Sequence, residues 1–207
     1  MYAKFIKRLL DIVLSFFALA ILWWLFLVLM IAIKIDDPGP AFYTQKRVGI
    51  HKTYFKLHKF RSMKMSAPQD VPTHLLENSE QHITRVGKFL RKSSLDELPQ
   101  IWDIFVGNMS IIGPRPALWN QDDLIAERDK YGANDVVPGL TGWAQINGRD
   151  ELEIPVKAKL DGDYARNLSF GFDVKCFFLS IVSVFKSDGV VEGGTGELTK
   201  KEEAKKR

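Results

Sequence analysis

Ser94-Leu95-Asp96-Glu97-Leu98-Pro99-Gln100 sets two carboxylates side by side at what reads as the start of a helix. Ser94 and Glu97 have capping-box spacing and Pro99 suits a first turn, which describes an ordinary helix start. That reading has no use for Asp96. Adjacent carboxylates at a helix N-terminus sit near its partial positive charge, and the same end can hold a phosphate or, through the carboxylates, a divalent cation. A second string, Ile111-Ile112-Gly113-Pro114-Arg115-Pro116, locks one arginine between two prolines. A guanidinium fixed in this way suits a phosphate or a carboxylate, although a rigid surface turn with a solvated arginine fits equally. Lys59 and Arg61 flank Phe60 and would share one face of a strand, as an exposed basic edge or a contact for lipid headgroups. Residues 137–142 are glycine-rich, and Asn147-Gly148-Arg149 follows, so flexible backbone lies near another arginine. Such loops can hold a nucleotide diphosphate, but this signal is weak.

The elements that must position these groups begin with an apolar run. Ile12 to Ile33 is 22 residues without a charge, about 33 Å as a helix and enough to reach across a bilayer core of about 30 Å. A secretory signal would be shorter and would end in a small-residue cleavage site. Through Asp70, eleven basic residues stand against four acids, which points to anionic lipid or phosphate beside this run. Lysines and arginines flank the run at both ends, as suits a segment that enters and leaves by one face. No proline or glycine breaks it, as suits a straight crossing, and Trp23-Trp24 sits at its midpoint. Both topologies remain open at this level. Asp11, three residues after Arg8, reads as half of an interfacial ion pair.

Beyond the run, residues 36–40 form a proline and glycine turn cluster. Alternation over 41–60 predicts a short hairpin with Gly49 near its turn, and 66–80 reads as a loop. Helical patterns cover 83–91, 99–106 up to Gly107, 118–131, 155–167 and 173–185, with 138–149 looped between them. The last of these helices is amphipathic and suits either a core or a membrane surface. The fold class is α/β, rich in helix with a small sheet or hairpin, an N-terminal membrane-embedded helix and interfacial amphipathic helices. The expected divisions are 1–35 for the anchor, 36–188 for a catalytic domain and 189–207 for a flexible charged tail.

Several classes of protein are set aside. Cys176 is the one cysteine among 207 residues, which excludes a disulfide scaffold and a cysteine-rich zinc module. His51, His58, His74 and His82 lack metal-ligand spacing, and no Walker or dinucleotide-binding glycine pattern occurs. An anchored chain is also a poor candidate for nucleic acid as a partner.

Taken in order, KRLLD before the apolar segment, DPGPAFYTQKRVG, KFRSM, SLDELPQ, GNMSIIGPRP, VPGLTGWAQINGR and NLSFGFDVK resemble the bacterial monotopic phosphoglycosyl transferases, or bacterial sugar transferases. The likeness runs to about Lys186, and the length matches the short, catalytic-domain-only type. The resemblance implies transfer of a sugar-1-phosphate from a UDP-sugar to polyprenyl phosphate with release of UMP. The reaction would run at the cytoplasmic face of the bacterial inner membrane, with membrane lipid as a further partner. It places the family's catalytic pair on Asp96, as nucleophile, and Glu97, with Mg²⁺ required; Glu97 would either bind the Mg²⁺ with Asp96 or orient Asp96. Arg115, in its clamp with Pro114, and Arg149 would offset phosphate charge. Lys59 and Arg61 would guide phosphate near the membrane, and Asp161 matches an acidic position that binds metal or substrate. One departure stands out: family members usually break the apolar segment with Ser-Pro where this chain has Trp23-Trp24. A membrane-docked, non-catalytic subunit of a glycan assembly complex and a membrane diphosphate hydrolase are the rival readings.

Overall fold

The computed structural model describes residues 2–67, 79–148 and 152–186. A wide helical turn, Tyr2–Ile6, runs into α1, Lys7–Asp36, with no break at Trp23-Trp24. Nothing in the apolar run interrupts the backbone ladder, and the helix ends at Asp37, whose N–H still bonds Ile33 O at 3.1 Å. Phe17, Ile21, Trp23, Trp24, Leu27 and Val28 point outward and are exposed.

Strands β1, Phe42–Val48, and β2, Tyr54–Phe60, form the expected antiparallel hairpin, with Phe42 opposite Phe60 and Val48 opposite Tyr54. Gly49 opens its turn as expected, and His51 and Lys52 take the left-handed region within it. Helix α2, Arg85–Lys92, is capped by Thr84, whose hydroxyl accepts from Gly87 N at 2.8 Å. A tight turn, Leu95–Glu97, leads into α3, Gln100–Val106, which stops at Gly107 with φ of 100°. Strands β3, Ser110–Ile112, and β4, Gly139–Thr141, pair in parallel as a second small sheet. Between them lies α4, Asp122–Asp129; after them come α5, Trp143–Ile146, α6, Ile154–Arg166, and α7, Phe170–Lys186. The fold is mostly helical with two small sheets, as the composition and periodicity predict. Residues 138–149, predicted as a loop, instead hold β4 and α5. The loop predicted over 66–80 lies largely, and the tail and Arg149 wholly, outside the described residues.

Both ends of α1 are bonded to the same body. Near its start, Arg8 donates to the carbonyls of Ile104 and Phe105 at 2.6 and 2.7 Å. A cation there satisfies the open C-terminal end of α3. Lys7 meets Asp173 of α7 at 2.7 Å, joined by the Tyr2 hydroxyl at 2.6 Å. Asp11 accepts from Ile111 N of β3 at 3.0 Å. The ion pair expected between Asp11 and Arg8 is therefore replaced by two separate docks, because β3 and α3 each offer an unpaired backbone group. Near its other end, Leu29 and Ile33 are buried with Ala41, Phe60 and Leu90, while Asp36 accepts from Val86 N at 2.8 Å.

Candidate active site

The turn Leu95–Glu97 does not carry the predicted capping box. Ser94 adopts φ of 56° and makes no side-chain cap bond. That left-handed residue redirects the chain, and Glu97 reaches across to cations on two other elements instead of back to Ser94. Lys59 of β2 lies 3.0 Å from Glu97 Oε1 and 3.9 Å from Asp96 Oδ2. Arg115 forks onto Glu97, with Nη2 at 2.5 Å from Oε1 and Nη1 at 3.4 Å from Oε2. Asp96 is 5% exposed and lies beside this cluster. Burial alone would raise the Glu97 pKa, but the charges and hydrogen bonds of Arg115 and Lys59 outweigh it and hold the carboxyl well below the usual range.

Strand alternation aims Lys59. Leu57, two residues earlier on the same face, is buried against Ile104 and Met109, so Lys59 projects toward the turn that precedes α3. Arg115 is aimed by glycine packing. Gly113 N donates to Thr141 O at 2.8 Å and Gly139 N to Pro114 O at 2.9 Å. A Cβ on Gly139 would fall 2.0 Å from Gly113 N, and one on Gly142 would fall 2.1 Å from Gly113 O. These glycines serve chain-to-chain approach.

Of the predicted site residues, the structure brings together Asp96, Glu97, Lys59 and Arg115, with Pro114 in the strand-end pairing that presents the arginine. Arg61 falls elsewhere. Strand β2 ends at Phe60, and Arg61 turns to Asp37, 2.9 Å away, and to the Asp37 carbonyl. It fastens the chain leaving α1. Asp161 of α6, 1% exposed, is bonded by Arg128 through Nε at 2.9 Å and Nη2 at 2.6 Å. Arg128 Nη2 also donates to Arg115 O at 2.9 Å.

Sequence reading passed over three partners. Arg128 lies on α4, whose sequence is mostly polar. Asp103, fully buried, binds the His58 ring and backbone N–H at 2.8 and 2.9 Å. Asp173 gathers Tyr2, Lys7 and Tyr164. One signal was available: Asp96, Gln100 and Asp103 recur at helical spacing and are all buried.

Among the described residues no group of three or more His, Cys, Asp or Glu converges as a metal cage. Magnesium needs less, since it keeps several waters and takes one or two carboxylates together with substrate phosphates. Asp96 and Glu97 fit such a donor set, with Glu97 already engaged by two cations.

A small helical fold with an apolar N-terminal helix and a carboxylate pair faced by a fixed arginine defines a class, and sequence comparison names it. The sequence model of the family described as bacterial sugar transferase matches residues 2–187, and the chain belongs to that family. It is 36% identical over 185 residues to the uncharacterized sugar transferase EpsL of Bacillus subtilis, covering 89% of this chain and 90% of that protein. It is 37% identical over 195 residues to the UDP-glucose:undecaprenyl-phosphate glucose-1-phosphate transferase of Escherichia coli, and 34% over 202 residues to the undecaprenyl-phosphate galactose phosphotransferase of Salmonella typhimurium. The chain spans 40% and 42% of the lengths of those two.

Proposed function

We propose that this chain transfers a sugar-1-phosphate from a UDP-sugar to undecaprenyl phosphate, releasing UMP, at the cytoplasmic face of the bacterial inner membrane. The observation that carries the reading is the buried Asp96 carboxylate beside a Glu97 held by Arg115 and Lys59. In the first step an Asp96 oxygen attacks the phosphorus that bears the sugar. The bond from that phosphorus to the oxygen bridging to the α-phosphorus breaks, and UMP leaves with the bridging oxygen. In the second step a phosphate oxygen of undecaprenyl phosphate attacks the same phosphorus, and the Asp96 carboxylate is released. No net proton change is needed on Asp96, because it begins and ends ionised.

A carboxylate approaching a diphosphate meets like charge. Lys59 and Arg115 supply the fixed positive charge that offsets it, and Glu97 keeps both in place before substrate arrives. Mg²⁺, when bound through Asp96 or Glu97, supplies further charge neutralisation on the diphosphate. Splitting the transfer in two lets a water-borne donor and a lipid acceptor use one site in turn. The exposed apolar side of α1 and the apolar outer faces of α3 (Trp102, Val106) and α7 (Phe177, Phe178, Ile181) support seating in a membrane. Because one body binds both ends of the unbroken α1, we read the segment as embedded along one face of the membrane, with both ends on the cytoplasmic side.

The test is UMP release from a panel of UDP-glucose, UDP-galactose and UDP-N-acetylgalactosamine with undecaprenyl phosphate and Mg²⁺. Intact mass of donor-treated protein should show an added phosphosugar, absent from Asp96→Asn along with turnover. Full activity in D96N refutes the nucleophile, and UMP release that needs no lipid acceptor points to a hydrolase instead.

A further inference from the structure

We infer that Arg128 is a positioning residue for the transfer, acting through the backbone of Arg115. The inference rests on the reading of Arg115 as the donor-phosphate fork. Arg128 is 4% exposed and belongs to a helix whose sequence looks polar and solvated. Its guanidinium is used on two sides. Nε and Nη2 bond one oxygen of Asp161 on α6, and Nη2 also bonds the carbonyl of Arg115. Arg115 in turn forks onto Glu97. A line of contacts thus runs from α6 through α4 to the carboxylate pair.

The carbonyl of Arg115 lies between Pro114 O, which accepts from Gly139 N, and Pro116 O, which accepts from Arg47. Arg128 donates to the Arg115 carbonyl from inside the protein. A charged donor on that carbonyl fixes the peptide plane and so the direction in which the Arg115 side chain leaves the backbone. Asp161 is buried, and its Oδ1 makes no hydrogen bond. A buried oxygen left in that state is costly for packing alone. Its partner oxygen, by contrast, is bonded twice by Arg128, as suits a carboxylate whose task is to orient that guanidinium. Lysine at 128 could pair with Asp161 but lacks the planar fork that reaches the carbonyl as well.

The experiment is a double-mutant cycle on kcat/KM for UDP-sugar, read by UMP release, using Arg128→Lys and Arg115→Lys singly and together. Arg128→Lys should lower kcat/KM by about tenfold to a hundredfold, the loss of one charge-assisted hydrogen bond at the fork. In the R115K background the same change should cost less than about twofold, because residues acting through one another are not additive. Thermal unfolding of each variant separates this from misfolding. Additive losses, or an R128K enzyme with wild-type kcat/KM, overturn the inference. If Arg128→Lys simply unfolds the chain, Asp161→Asn must show the same coupling to R115K, and additivity there overturns it too. A wild-type enzyme that releases no UMP from any UDP-sugar defeats the donor reading itself, which is a different outcome.

Discussion

Glu97 works against its own burial. Its carboxyl is held well below the usual range because Arg115 and Lys59 outweigh desolvation, so the folded state binds its proton more weakly than the unfolded chain does. Stability gained this way is fully present above the unfolded glutamate value of about 4.3 and is lost as the pH falls from there toward the folded value. The gap in unfolding temperature between wild type and Glu97→Gln should therefore stay constant around neutrality and shrink on acidification through that range. A gap that widens with acid would contradict the assignment. Asp96 and Glu97 were legible in the sequence because adjacent carboxylates at a helix start are unusual, and Arg115 because two prolines flank it. Arg128 was not, because its partners Asp161 and Arg115 are remote in the chain and α4 has no local mark of burial.

At the scale of elements, the site depends on a close approach between β4 and Gly113, just past β3, that only glycine allows. Gly139→Ala would force a Cβ to 2.0 Å from Gly113 N, and backbone rather than a flexible side chain would have to move. The expected loss is about 1–3 kcal/mol of stability, together with UMP release, because the displaced segment from Gly113 to Pro114 leads directly into Arg115. Gly132→Ala is the contrast. Its φ is +68° and nothing lies within 4 Å, so the cost is about 1–2 kcal/mol of left-handed strain without displacement of the site. Measuring unfolding and turnover for both separates crowding from strain; equal turnover losses would refute the Gly113–Gly139 contact as the support of Arg115. The glycines were visible in the sequence, but their close packing was not, since a phosphate-binding loop and a tight backbone approach use the same residue for the same lack of a Cβ.

For the whole molecule, the question is how a helix with no proline or glycine breaker meets the membrane. Arg8 and Asp11 bond α3 and β3, while Asp36 bonds α2. A straight crossing would part the two ends by a bilayer core of about 30 Å, and one body on one side would lose one of these docks. A cysteine placed at Tyr2 should therefore be protected from an impermeant thiol reagent in intact cells and labelled only after the membrane is opened. The native Cys176 is buried and gives little background. Labelling of Tyr2→Cys in intact cells would establish a spanning helix and overturn the common-face reading.

The residues themselves determined the long apolar helix, the hairpin and three of the charged groups around Glu97, because hydrophobic period, turn chemistry and rare local strings are short-range properties of the chain. Tertiary structure decided that Arg61 bonds Asp37, that Asp161 bonds Arg128, and that Asp11 holds a strand instead of Arg8. Each of those outcomes depends on which buried backbone or charged group lacked a partner after the chain had folded, and that debt is incurred between segments far apart in sequence.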